Sequence, residues 1–179
     1  SISRTIDGTI QGKRVDALFE YVAPDRFYLR ETFVGAPRKE AIEIRGQRYQ
    51  KQKTTEEWVK VTDDPAPLRT QFADSFFPLA FSSKRSDAIK IKKTSVSFVG
   101  ESEQNGVKYG TYRYSILYSG IDVVDSGVAW VNRKSGLLEH VEYDGVGLFG
   151  SFKSKWLFDY EKLVTIEAPK AFVEKNWID

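Results

Sequence analysis

A chain of 179 residues is long enough for one ordinary domain with a real core, and its 27 basic against 25 acidic residues leave a net charge of only +2. The two signs are interspersed, which describes a solvated mixed surface and not a nucleic-acid footprint. With no cysteine, disulfides, thiolate metal sites and cysteine nucleophiles drop out, and no run approaches the roughly 20 consecutive apolar residues that span a bilayer.

From Ser1 to Val61 short alternating runs are separated by turn residues, the pattern of an antiparallel meander. Residues 5–10 lead to Gln11-Gly12-Lys13, where Gly12 supplies the positive φ of a tight hairpin. Over residues 15–22, Val15, Ala17, Phe19 and Tyr21 share one face while Asp16 and Glu20 share the other, so the first is the buried one. Ala23-Pro24-Asp25 turns the chain, after which Phe27, Leu29 and Phe33 continue the apolar face. Gly35-Ala36-Pro37 and Arg45-Gly46-Gln47 mark further turns; Ile42 and Ile44 share a strand face between them, and Trp58, Val59 and Val61 close this half.

Between Asp63 and Phe81 the alternation breaks. Asp64-Pro65-Ala66-Pro67 has the form of a helix start, and Leu68, Phe72, Phe76 and Leu79 or Ala80 recur at helical spacing, so one helical insertion is expected at about residues 65–82. Strands return over residues 89–99 and 107–118, joined by the hairpin signal Asn105-Gly106. Tyr112, Tyr114, Ile116 and Tyr118 give the second of these an aromatic face. Two more runs, 128–131 and 137–143, flank the polar loop Asn132-Arg133-Lys134-Ser135-Gly136, and Phe152, Trp156, Phe158 and Tyr160 lie on one face of a last long strand. Pro169 and a charged tail follow.

Little in the chain suggests catalysis. His140 is the sole histidine, so a histidine-rich zinc site cannot be built, and no Gly-x-Ser-x-Gly elbow supports a triad around it; it reads as a half-exposed strand residue. Glu56-Glu57 and Asp63-Asp64 read as solvated loop acids. Gly145-Val146-Gly147-Leu148-Phe149-Gly150 matches a dinucleotide-binding string, but strand-like residues follow where a helix is needed, so a plain loop is expected. The chain also has no methionine, and a removed signal peptide or lipoprotein leader is the expected reason that it starts at Ser1.

What stands out is an aromatic surplus of 12 Phe, 9 Tyr and 4 Trp. A single short helix, about 10 Å wide, cannot cover a sheet of roughly ten strands spaced about 4.8 Å apart, and an incompletely covered apolar sheet becomes a groove. The expected fold is therefore mainly β, a curved antiparallel sheet with a helical plug. The candidate ligand-binding residues are Phe19, Phe27, Leu29, Phe33, Ile42 and Ile44 from the first half, and Phe72, Phe76 and Leu79 from the helix. Tyr114, Ile116, Trp130, Trp156 and Phe158 complete the set from the second half.

Four segments add a resemblance. Val22-Ala23-Pro24-Asp25-Arg26-Phe27-Tyr28-Leu29-Arg30 resembles the second-hairpin motif of the LolA/LolB-like lipoprotein-carrier superfamily, which includes the LppX/LprG-type envelope lipid carriers. Gly46-Gln47-Arg48-Tyr49 through Trp58-Val59-Lys60-Val61 is similar to its strand pair before the internal helices. The late hairpin is matched by Val128-Ala129-Trp130-Val131 through Val141-Glu142-Tyr143, and the last strand by Phe158-Asp159-Tyr160 through Ala168-Pro169. The resemblance implies a half-open β-barrel with helices on its apolar side, and a periplasmic or outer-membrane-associated protein that binds lipid or the acyl chain of a lipoprotein. No enzyme, cofactor or metal is implied, and an envelope partner protein is the other kind of ligand. Members usually begin with an amphipathic helix, whereas strand-like sequence here starts almost at Ser1. Lipoprotein shuttles also tend to carry Arg before the hairpin Pro, where this chain has Ala23, which favours a general lipid-binding or sensor member.

Overall fold

The computed structural model describes residues 1–10, 12–33, 38–52, 55–61, 68, 90–119, 124–147 and 150–175. Six strands come from the first part of the chain: β1 (Ile2–Ile10), β2 (Lys13–Val22), β3 (Arg26–Phe33), β4 (Lys39–Ile44), β5 (Gln47–Lys51) and β6 (Trp58–Val61). Six more follow: β7 (Lys90–Gln104), β8 (Val107–Ser119), β9 (Val124–Asn132), β10 (Leu138–Gly147), β11 (Gly150–Asp159) and β12 (Val173–Lys175). All twelve belong to one curved, open sheet in the order β12-β6-β5-β4-β3-β2-β1-β11-β10-β9-β8-β7.

This order is two meanders laid side by side. β1 to β6 form one, β7 to β11 the other, and β1 pairs antiparallel with β11 to join them, from Ser3 opposite Asp159 to Ile10 opposite Phe152. The turns at Arg45-Gly46 and Asn105-Gly106 are those the sequence announces, and Gly35-Ala36-Pro37 lies outside the described residues. Arg45 and Gly46 have φ of 50° and 75°, and Asn105 and Gly106 have 50° and 77°, the paired positive values whose twist matches that of flanking strands.

Side chains alternate across the sheet, so the registers divide the strands into an inner and an outer face. One transverse inner row runs Tyr112, Ala129, Val141, Trp156, Ile6, Ala17 across β8, β9, β10, β11, β1 and β2. The next runs Phe158, Arg4, Phe19, Leu29, Ala41 from β11 to β4. These residues dominate the larger buried cluster, which also takes in Phe27 and Leu68.

A smaller cluster lies on the outer face, where Ile42, Tyr49 and Ile166 are buried against Tyr28, Ile44, Trp58 and Val164. The chain after β11 thus crosses the back of β3 to β6. Arg26 Nη1 donates a 2.8 Å hydrogen bond to the Ile166 carbonyl, and the Phe172 ring meets Tyr49 edge-on at 5.1 Å. The strap ends as β12, which adds to β6 in parallel with Val173 opposite Val59.

Two expectations change, and a third lies outside the described residues. The tail is not merely a charged exit, because it covers part of the outer face and adds an edge strand beside β6. The glycine string 145–150 is mostly strand, β10 continuing to Gly147 and β11 beginning at Gly150, which register as a pair. The expected helix over 65–82 lies outside the described residues apart from Leu68, which is helical and buried.

Candidate functional site

The inner face gathers seven of the fourteen residues singled out from the sequence. Phe19, Phe27, Leu29, Ile116, Trp156 and Phe158 are buried there, with Tyr114 packed at the margin. Phe33 holds an inner register position opposite Val15, but its side chain is outside the described residues, as are Phe72, Phe76 and Leu79. Ile42, Ile44 and Trp130 are on the other side. Ile42 registers with Tyr28 and Tyr49 under the strap, and Trp130 registers with His140 and stacks on it, the rings 4.3 Å apart and 14° from parallel. A one-residue change of parity is enough for this, because it moves a whole strand's side chains to the opposite face.

His140 is consequently buried and not half-exposed. Burial lowers its pKa, with Lys155 adding to the effect and Glu142, 3.6 Å away, opposing it.

Charged groups are set into the apolar face at inner positions that alternation reserves for apolar residues. Arg4 is fully buried, its guanidinium 4.3 Å from the Phe19 ring centre and 5.3 Å from that of Trp156. Such stacking stabilises a desolvated cation by about 2 kcal/mol. Burial still lowers the Arg4 pKa to about 9, which leaves the group charged at neutral pH. Towards β4 and β5, Glu31 registers with Lys39 at 3.3 Å, and Glu43 registers with Arg48. Glu43 Oε2 also accepts a 2.6 Å hydrogen bond from the Leu68 backbone N–H, which fixes that residue over the sheet.

At the opposite end Asp125 is fully buried and accepts a hydrogen bond from the Tyr143 hydroxyl. Tyr114 lies nearby, its phenol pKa raised by burial and then by the Asp125 charge. Two glycines make room for these rings: a Cβ on Gly127 would stand 2.7 Å from the Tyr114 hydroxyl, and one on Gly145 would meet the Tyr143 hydroxyl and stand 2.8 Å from Asp125. The sequence signal for these buried polar groups was parity itself, since Arg4 shares it with Ile6, and Glu31 with Phe27 and Leu29.

A separate, wide-open hollow of about 680 Å³ lies by Asp7, Arg14, Asp144, Lys153 and Lys155. Four of these charges pair, Arg14 with Asp7 at 3.5 Å and Lys153 with Asp144 at 3.0 Å, and neither Phe19 nor Trp156 lines it.

The fold, one open and mostly antiparallel sheet with an apolar inner face, is LolA-like. Among solved structures, LprF from Mycobacterium bovis superposes with a TM-score of 0.50 at 11% identity, over 93% of this chain and 89% of that one. The lipoprotein LppX from Mycobacterium tuberculosis follows with 0.43 at 10% identity, over 93% and 88%. At these identities the likeness is one of fold. No protein-family model matches the chain, and no curated protein matches it in sequence.

Proposed function

We propose that this protein is a non-catalytic binding protein of the cell envelope that takes up lipid or the acyl chain of a lipoprotein on its inner sheet face. The observation that carries this reading is the run of aromatic and aliphatic residues along that face from β8 across β1 to β4, with Arg4 set among them. Of the described residues outside the strands, Leu68 and Tyr160 pack against it, whereas the outer apolar cluster has its own strap in Val164 and Ile166. An acyl chain suits such a surface, since each buried methylene contributes about 0.8 kcal/mol and needs no directional partner. Arg4, at the centre of the face, lies beside the aromatic rings an acyl chain would meet.

Mass spectrometry of an organic extract of natively purified protein tests the reading directly. Copurifying lipid supports it, together with uptake of a fluorescent fatty-acid probe that Phe76→Ser weakens while the thermal midpoint barely moves. A clean extract, no probe uptake and tight binding of a peptide would replace it with an envelope sensor or interaction module.

A further inference from the structure

One edge of the sheet is β12, three residues long, and the other is β7, fifteen residues long. Residues 92–99 are exposed on both faces, with Val96 at 65%, Phe98 at 56% and Val99 at 55%. An edge strand presents a row of unused backbone donors and acceptors, a template for another strand. Register shifts interrupt β7 between Ile91 and Lys93 and between Phe98 and Gly100, leaving residues 93–98 in regular pairing with β8. That regular stretch, Lys-Thr-Ser-Val-Ser-Phe, has Lys92 just before it and Glu101 and Glu103 just after it.

We propose that β7 pairs antiparallel with β7 of a second copy of this chain, about a two-fold axis at Ser97 that sets Val96 of each copy opposite Phe98 of the other. The charges select both the partner and the direction. Antiparallel self-pairing brings the Lys92–Lys93 end of each copy towards the Glu101–Glu103 end of the other, twice over, while parallel pairing would set lysines against lysines. A two-fold contact is self-complementary by construction, and this sequence has the required polarity.

The apolar pattern agrees. Thr94, Val96 and Phe98 hold inner positions, Val96 opposite Tyr114 and Phe98 opposite Tyr112, with the Phe98 and Tyr112 rings edge-on at 5.4 Å. The inner row through Ala129, Val141 and Trp156 therefore runs out to exposed Phe98 at the edge. Pairing places Val96 and Phe98 of each copy beside the same residues of the other, and it joins two inner faces into one. The proposal stands on the edge strand and is independent of lipid binding.

Sedimentation velocity across a concentration series is the test. The unmodified chain is expected to shift from 20.5 kDa to twice that mass as concentration rises. Val96→Lys and Phe98→Lys, both at exposed positions, should weaken dimerisation at least tenfold with an unchanged circular dichroism spectrum and thermal midpoint. Lys92→Glu with Lys93→Glu, and Glu101→Lys with Glu103→Lys, should each weaken self-association. Mixing these two variants should restore a dimer, and that arm controls for the Glu101–Arg133 ion pair lost in the second. A chain that stays at 20.5 kDa at several hundred micromolar overturns the proposal. So does a dimer indifferent to Val96→Lys and Phe98→Lys, a failure of the charge variants to recombine, or an edge that takes up a peptide strand while the chain remains monomeric.

Discussion

Asp125 and Tyr143 show how tightly a few positions are matched in the β9–β10 region. The Tyr143 ring occupies the space a side chain at Gly145 would need. Gly145→Ala is therefore expected to lower unfolding free energy by about 1–3 kcal/mol through overpacking. Urea denaturation should show a smaller cost in a Tyr143→Phe background, because removing the hydroxyl relieves part of the clash and neighbouring sites couple. His140 offers a pH readout. Its folded-state pKa lies below the ordinary 6.5, so the unfolded chain takes up the proton more readily. That contribution is intact above about pH 6.5 and is lost as pH falls towards the lower folded-state value. His140→Gln should flatten the stability-against-pH curve just below pH 6.5, and parallel curves for the two chains would refute this. Alternation put Arg4 at an inner position beside Ile6; it did not tell what Arg4 or Asp125 would meet there, because their partners come from other strands.

At the scale of the element, most strand runs and several turns were legible, since apolar alternation and the Arg45-Gly46 and Asn105-Gly106 dipeptides act within a few residues, but β12 and the strand ends at Gly147 and Gly150 were not. Misreadings arose where a strand has apolar residues on both sides. In β4 the inner positions are Lys39, Ala41 and Glu43, and the larger Ile42 and Ile44 face outward because Val164 and Ile166, over 100 residues later, cover them. No local pattern in β4 carries that information. The strap should accordingly matter well beyond its lack of regular structure. Ile166→Ala is expected to cost about 2–4 kcal/mol, as for other buried large-to-small changes. Chemical denaturation measures it, and a loss under 0.5 kcal/mol would mean the strap is dispensable. Trp130 repeats the lesson: its stack on His140 depends on β9–β10 register, which sequence spacing alone does not set.

For the molecule as a whole, sequence reasoning reached the mainly β class and the antiparallel pairing, and half of its candidate residues meet on the inner face, but it did not reach the strand order. That order depends on β1 meeting β11, two strands separated by about 140 residues, a pairing set by long-range shape and burial and not by any turn. Contacts so distant in sequence slow folding, because loop-closure entropy is lost before they form. The same seam has a different consequence. Residues 1–61 form one contiguous meander, and the later part of the chain embraces it from three sides: β11 along one edge, the strap across the back, β12 along the other edge. The two parts should therefore behave as separable halves of a clasp. Cutting the backbone between residues 62 and 89 and co-expressing the fragments should yield a noncovalent complex that survives affinity purification through a tag on either piece. Deleting residues 163–179 from the second fragment should release the first.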